Sequence, residues 1–306
     1  MSMRITHKML ASVPRKDLQA ALRRLNEAQE ALTSGQRITR PSQDPVSAGR
    51  VTRAARAIAE LDERDRTLDA GGRTLSQATS LANYAARLVR RARDIALRAA
   101  SSNTLPEVRL PLAKELDSII QRLVDIGNAR FDGRYLFGGH QTLDRPFDYS
   151  PGGVPTYNGD AGERLVPVSP GNQIPVSLPG SVLFNVGGAG NPSEPDVLAS
   201  LAALRDAVQA GPSTAIPGPL IDDLNEGEAY VLNVASDLAG RQQRLEQAKS
   251  RNADARLDLN RILSEEAGTD IAQAVLDLKA QEVAYEAALA AAGQVVSSPS
   301  LLNFLR

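Results

Sequence analysis

The side chains that most often do chemistry are few in this chain. His7 and His140 are the only histidines in 306 residues, and cysteine is absent. The two histidines lie far apart, neither with a carboxylate pair nearby, so a metal centre or a catalytic triad has no local starting point. Without cysteine there is no disulfide, no thiolate metal ligand and no thiol nucleophile. No glycine-rich run ends in Lys-Ser or Lys-Thr, which excludes a P-loop. Gly187-Gly188-Ala189-Gly190 does not open a helix after a strand and reads as a loop. Asp222-Asp223-Leu224-Asn225-Glu226-Gly227-Glu228 has acids enough for calcium but lacks the alternating ligand spacing of an EF-hand, so it reads as a solvated helix start. Arg87, Arg90, Arg91, Arg93 and Arg98 spread around a helix, which suits subunit contacts or solvent better than phosphate tracking. The expectation is a chain with no enzyme activity, no cofactor and no metal site.

What remains are residues that shape elements. Gly35 supplies a left-handed turn that side-chain-bearing residues resist. Arg37 and Arg40 are placed to tie a connector to carboxylates, and Asp44 followed by Pro45 makes an N-cap and first-turn pair. The 35 basic and 36 acidic residues leave a net charge of -1, so no global field suggests nucleic acid or an anionic membrane. No stretch approaches the roughly 18 apolar residues that span a bilayer. Residues 1–10 lack the pattern of a cleavable secretion signal. Read conventionally that means a cytoplasmic protein, although an export route without such a signal leaves the same trace.

Aromatics make up 4% of the chain and tryptophan is missing, a composition of long helices packed side by side rather than of a ring-filled core. The spacing predicts a helix from about Pro14 to Leu32, where Leu18, Leu22, Leu25, Gln29 and Leu32 step by 4, 3, 4 and 3. A longer helix follows Asp44-Pro45 with Leu61, Leu68, Leu75, Ala82, Val89 and Ala96 every seven residues, and Gly71-Gly72 inside it is a candidate kink. A third helix covers roughly Pro106 to Ala129. Between Phe131 and Pro195 the pattern changes: 12 of the 23 glycines, 9 of the 18 prolines and 7 of the 11 aromatics fall there, which predicts a small inserted β unit. Helix returns near Asp196 to Val208, from about Asp222 to Glu265, and again through Ile271, Val275, Leu278, Glu282, Tyr285 and Leu289.

The fold class is therefore mainly α: a long antiparallel helical bundle or coiled coil built from both chain ends, with a small inserted β domain. Its expected divisions are 1–44 (assembly helix and connector), 45–135 (first half of a helical rod), 136–195 (β-rich insert), 196–264 (second half of the rod) and 265–306 (C-terminal assembly helix). The last forty residues offer about six large apolar side chains to one seam, each contributing about 1.5–3 kcal/mol if buried. Ordering that backbone costs on the order of 1 kcal/mol per residue, so two end helices packed only on each other are marginal. They are expected to order mainly when further subunits cover them. Leu301, Leu302, Phe304 and Leu305 at the C-terminal end also call for a partner.

Both ends resemble the flagellin family. Leu32-Thr33-Ser34-Gly35-Gln36-Arg37-Ile38-Thr39-Arg40-Pro41-Ser42-Gln43-Asp44-Pro45-Val46 is similar to the family's Gly-x-Arg-Ile turn and helix start, although Gln43 stands where Asp or a small polar residue is often seen. Arg93-Asp94-Ile95-Ala96-Leu97-Arg98, Arg241-Gln242-Gln243-Arg244-Leu245-Glu246, Thr269-Asp270-Ile271-Ala272 and Leu301 to Arg306 are similar to further family stretches, with Phe304 a departure in the terminal run. The likeness covers about 1–130 and 225–306. Within the family, Arg134-Tyr135-Leu136-Phe137-Gly138-Gly139-His140-Gln141-Thr142, Tyr157-Asn158-Gly159-Asp160 and Leu178-Pro179-Gly180-Ser181-Val182-Leu183-Phe184 look like the hook–filament junction subgroup.

That resemblance implies a secreted structural subunit of the extracellular bacterial flagellum, exported by the flagellar type III route. It would join copies of itself, the hook-side junction protein (hook-associated protein 1) and flagellin, and would template flagellin polymerisation. It implies assembly roles for Gly35, Arg37, Ile38, Arg40, Asp44 and Pro45 in the connector. It implies an assembly core, part of it first covered by a cytoplasmic export chaperone, for Ile271, Val275, Leu278, Tyr285, Leu289, Leu301, Leu302, Phe304 and Leu305. A filament flagellin is the alternative; an enzyme with its site in the insert, or a needle-tip coiled coil, explains less.

Overall fold

Heptad spacing and sparse glycine favour helix over most of the chain, and helix is what forms. The computed structural model describes residues 7–100, 106–169, 171–210 and 216–297. Helix α1 covers His7–Ser34, α2 Pro45–Ala100, α3 Pro106–Gly127, α4 Gly180–Leu183, α5 Val197–Gln209, α6 Gly218–Ala267 and α7 Ile271–Ser297. The two 50-residue-class helices, α2 and α6, have 56 and 50 residues. Asp196 caps α5 by accepting hydrogen bonds from Leu198 and Ala199 N–H, satisfying two donors that a helix start leaves open. Helix α2 runs unbroken through Gly71-Gly72. Val176 and Leu245 pack directly on Gly71 there.

The chain divides into two compact units, residues 62–253 and residues 1–61 with 254–306. In the first, α2, α3, α5 and α6 share one hydrophobic core, with Leu75, Ile95, Leu116, Ile120, Leu123, Leu201 and Leu238 buried. The helices are also tied by charge. Arg90 and Arg93 of α2 both reach Glu228 of α6, at 2.6 and 2.9 Å, and Lys249 of α6 reaches Asp69 of α2 at 2.7 Å.

The insert forms three separate antiparallel ribbons: β1 (Arg130–Phe131) with β2 (Arg134–Tyr135), β3 (Phe147–Asp148) with β4 (Thr156–Tyr157), and β5 (Leu165–Ser169) with β6 (Asn172–Pro175). It has no core of its own. Phe137, Phe147, Val176 and Phe184 are buried in the same cluster as the helices. The Phe147 ring covers Gly127 and Gly180 so closely that a Cβ at either would lie within 2.6 Å of it. Arg205 of α5, whose side chain is 3% exposed, binds the Gly152 and Gly153 carbonyls at 2.8 and 2.9 Å and so fastens the β3–β4 turn to the helices.

In the second unit α1 and α7 pack antiparallel, the end of one meeting the start of the other. None of the residues in the main hydrophobic cluster comes from this unit. Its buried apolar side chains among the described residues are Ala54, Leu61, Ala267 and Ala274.

Candidate assembly surface

The connector between α1 and α2 is built residue by residue. Gly35 adopts φ +67°, which ends α1, and its carbonyl accepts from Thr269 N–H at 3.1 Å. Arg37 N–H then donates to the Ala267 carbonyl at 2.7 Å, and Gln36 faces Gly268 in an isolated antiparallel bridge. Both chain ends thus enter one short backbone ladder. The Arg37 guanidinium donates to the Glu266 carbonyl at 3.0 Å and lies 3.8 Å from the Asp44 carboxylate. Arg40 reaches both carboxylate oxygens of Glu30 on α1 at 3.2 Å. Ile38 is half-buried.

Asp44 accepts from Ser47 N–H at 3.1 Å and Pro45 begins α2. That hydrogen bond, with Ser47's hydroxyl and the nearby Arg37 charge, holds the Asp44 carboxyl below its ordinary range. Glu266 is held low as well, first by its hydrogen bond with Arg50 at 2.6 Å.

Three participants were not singled out as site residues from sequence. The Gln43 side-chain oxygen accepts from Thr39 and Arg40 N–H at 2.9 and 3.1 Å, closing the turn on itself. Arg50 and Glu266 join α2 to α6, and no local spacing announces a pair 216 positions apart.

Along α7, Leu278 and Tyr285 are half-buried toward α1, while Ile271, Val275 and Leu289 are 66%, 42% and 45% exposed. Leu301, Leu302, Phe304 and Leu305 lie outside the described residues. A second seam runs along α7. Leu276, Ala280, Val283, Ala287 and Ala290 step by 4, 3, 4 and 3, and all are exposed, Leu276 at 65% and Val283 at 64%. A helix apolar on two faces needs more cover than one neighbour gives.

Among the described residues no three His, Cys, Asp or Glu side chains converge as metal ligands, and no helix is long and apolar enough to cross a membrane. His140 lies against Gly162, its backbone N–H on the Asp160 carboxylate at 2.8 Å, in a tight loop of the insert.

Residues 5–142 match the family model of the bacterial flagellin N-terminal helical region. Over those residues the chain is similar to the bacterial flagellin family. Two curated relatives are both flagellar hook-associated protein 3. The chain is 25% identical to that protein of Salmonella typhimurium over 168 residues, 55% of this chain and 52% of the relative, so the match spans about half the relative's length. Against the protein of the same name in Escherichia coli it is 22% identical over 279 residues, 84% of this chain and 87% of the relative. The crystal structure of hook-associated protein 3 from Legionella pneumophila matches 70% of this chain and 98% of its own, with a TM-score of 0.62 and 15% identity, a likeness of fold.

Proposed function

We propose that this chain is a structural subunit of the bacterial flagellum, the adapter at the junction between hook and filament. The reading draws on the name shared by its curated relatives and on one physical observation. Among its described residues the unit formed by the two terminal segments has almost no buried apolar side chains, while its α7 presents apolar residues on two faces. Such a unit gains its core from neighbours, through copies of this chain, the hook-side junction protein and flagellin. The connector of Gly35, Arg37, Ile38, Arg40, Asp44 and Pro45 sets the angle at which the end helices are offered. Before assembly the flagellar type III route carries the chain outside, and an export chaperone covers the apolar C-terminal segment. Once placed, the ring templates flagellin polymerisation.

The test is electron microscopy of flagella from a strain lacking this gene, with flagellin assayed in the medium. Complete hooks without filaments, beside abundant secreted flagellin, support the junction adapter. Bare hooks with no flagellin outside point to the filament subunit instead. Normal filaments overturn both.

A further inference from the structure

A cleft in the 62–253 unit carries charge that the chain does not itself neutralise. It opens between α2, the β1–β2 ribbon and the start of β5, with a volume of about 650 Å³. Arg73, Arg134 and Arg164 line it, against one acid, Asp132. All three arginines are exposed, and among the described residues none has a side-chain hydrogen bond or an ion pair. Elsewhere in the unit Arg90 and Arg93 share Glu228, Arg205 takes Asp117 and Arg241 takes Glu163. Since the whole chain has a net charge of -1, the local excess is not a reflection of overall composition.

The cleft is also held in shape. Val176, just past β6, lies on Gly71 so closely that a Cβ there would sit 2.8 Å from its Cγ1. Arg164 N–H donates to the Ser177 hydroxyl at 2.7 Å, fixing the backbone from which that arginine projects. Leu165, 52% exposed, adds an apolar wall beside the guanidinium groups. Planar guanidinium groups grip carboxylates in pairs of hydrogen bonds, so a cleft of this make-up recognises a run of acidic side chains carried on a protein segment.

The same unit carries the complementary piece. Asp222, Asp223 and Glu226 sit within about one turn of α6, with Asp222 and Glu226 exposed, and none of the three has a described ion pair. They cannot reach the cleft of their own chain. Leu245 of α6 touches Gly71 at the cleft, and the 22 residues from Asp223 to Leu245 span about 33 Å of helix. We propose that the arginine cleft receives the Asp222–Glu226 segment of a second copy of this chain. A contact between two different patches is heterologous, the kind that closes copies into a ring or carries them along a helix. The proposal rests on the reading of the chain as a self-assembling flagellar subunit.

The absence of cysteine makes the test clean. Thr142, which lines the cleft, and Glu226 are both replaced (Thr142→Cys, Glu226→Cys) in a chain expressed in the flagellated host. Hook–filament preparations are then oxidised and run without reductant. Disulfide-linked dimers and higher multiples of this chain are expected. Adding Arg134→Glu with Arg164→Glu lowers their yield about tenfold or more, and adding Asp222→Lys on top restores part of it. An assembled chain that forms no dimer, or whose yield ignores the charge reversal, overturns the proposal. Linkage to a different flagellar protein alone overturns the second copy as occupant. Absence of the chain from the preparations overturns the junction reading itself and this proposal with it.

Discussion

Arg50 Nη1 lies 2.6 Å from Glu266 Oε1, joining two helices whose residues are 216 positions apart. The Glu266 carboxyl is held below its ordinary value of 4.5, and Asp44 in the same connector below 3.8. A carboxylate with a depressed folded pKa contributes stability that is present above its unfolded pKa and lost as pH falls through the folded one. The connector should therefore hold from neutrality down to about pH 4 and loosen below it. Backbone amide signals of Arg37 and Ser47, followed by NMR on lowering the pH, should move in that acid window. Glu266→Gln should remove part of the movement, and an unchanged titration would detach the pair from the connector's order.

A buried cation left without its carbonyls, or carbonyls left without their cation, is the costlier kind of loss. Arg205→Ala strands the Gly152 and Gly153 carbonyls and removes the ion pair of Asp117, and should lower stability by about 3 kcal/mol. Arg66→Ala removes only an exposed pair with Glu63 and should change it by less than about 0.5 kcal/mol. Urea denaturation of the two variants measures the contrast; equal midpoints would mean the β3–β4 turn is not held by Arg205.

Adjacent glycines should respond in opposite directions. Gly72 has nothing within 4 Å of a built Cβ, so Gly72→Ala should stabilise α2 by about 0.5–1 kcal/mol through helix propensity. At Gly71 the same gain is offset by a Cβ driven against Val176, and overpacking of this kind costs about 1–3 kcal/mol. Thermal melts should move up for one and down for the other.

The second seam of α7 permits a separation of folding from assembly. Leu276→Lys and Val283→Lys fall on side chains about two-thirds exposed, so the melting of the isolated chain should stay where it is. Swimming and recovery of the chain in hook–filament preparations should both be lost, because a charge cannot be covered by an apolar neighbour without a partner. Normal swimming would take this seam out of the assembled contacts.

Local chemistry explains which of these features were legible in advance. Heptads located every long helix, and Asp44-Pro45 and Asp196 marked two of the starts, because caps are written within a few residues of their target. The insert announced itself by its turn residues, yet the same residues said nothing about where Phe137, Phe147 and Phe184 would go. Their burial among the helices is a property of the whole unit. Gly71-Gly72 looked like a weak point since propensity is local, whereas Val176 and Leu245 that pack there come from more than 100 residues away. The Arg50–Glu266 pair and the arginine cleft depend on elements meeting in space, and no spacing within either element encodes that.

The uneven distribution of buried side chains has a calorimetric consequence. Heat absorbed on unfolding, and the heat-capacity rise that accompanies it, scale with apolar surface newly exposed to water. Among the described residues nearly all of that buried surface belongs to residues 62–253, so the endotherm of the isolated chain should be that of a protein far shorter than 306 residues. The missing enthalpy is held in reserve, and it is released only when neighbours dehydrate the faces that α7 leaves in water.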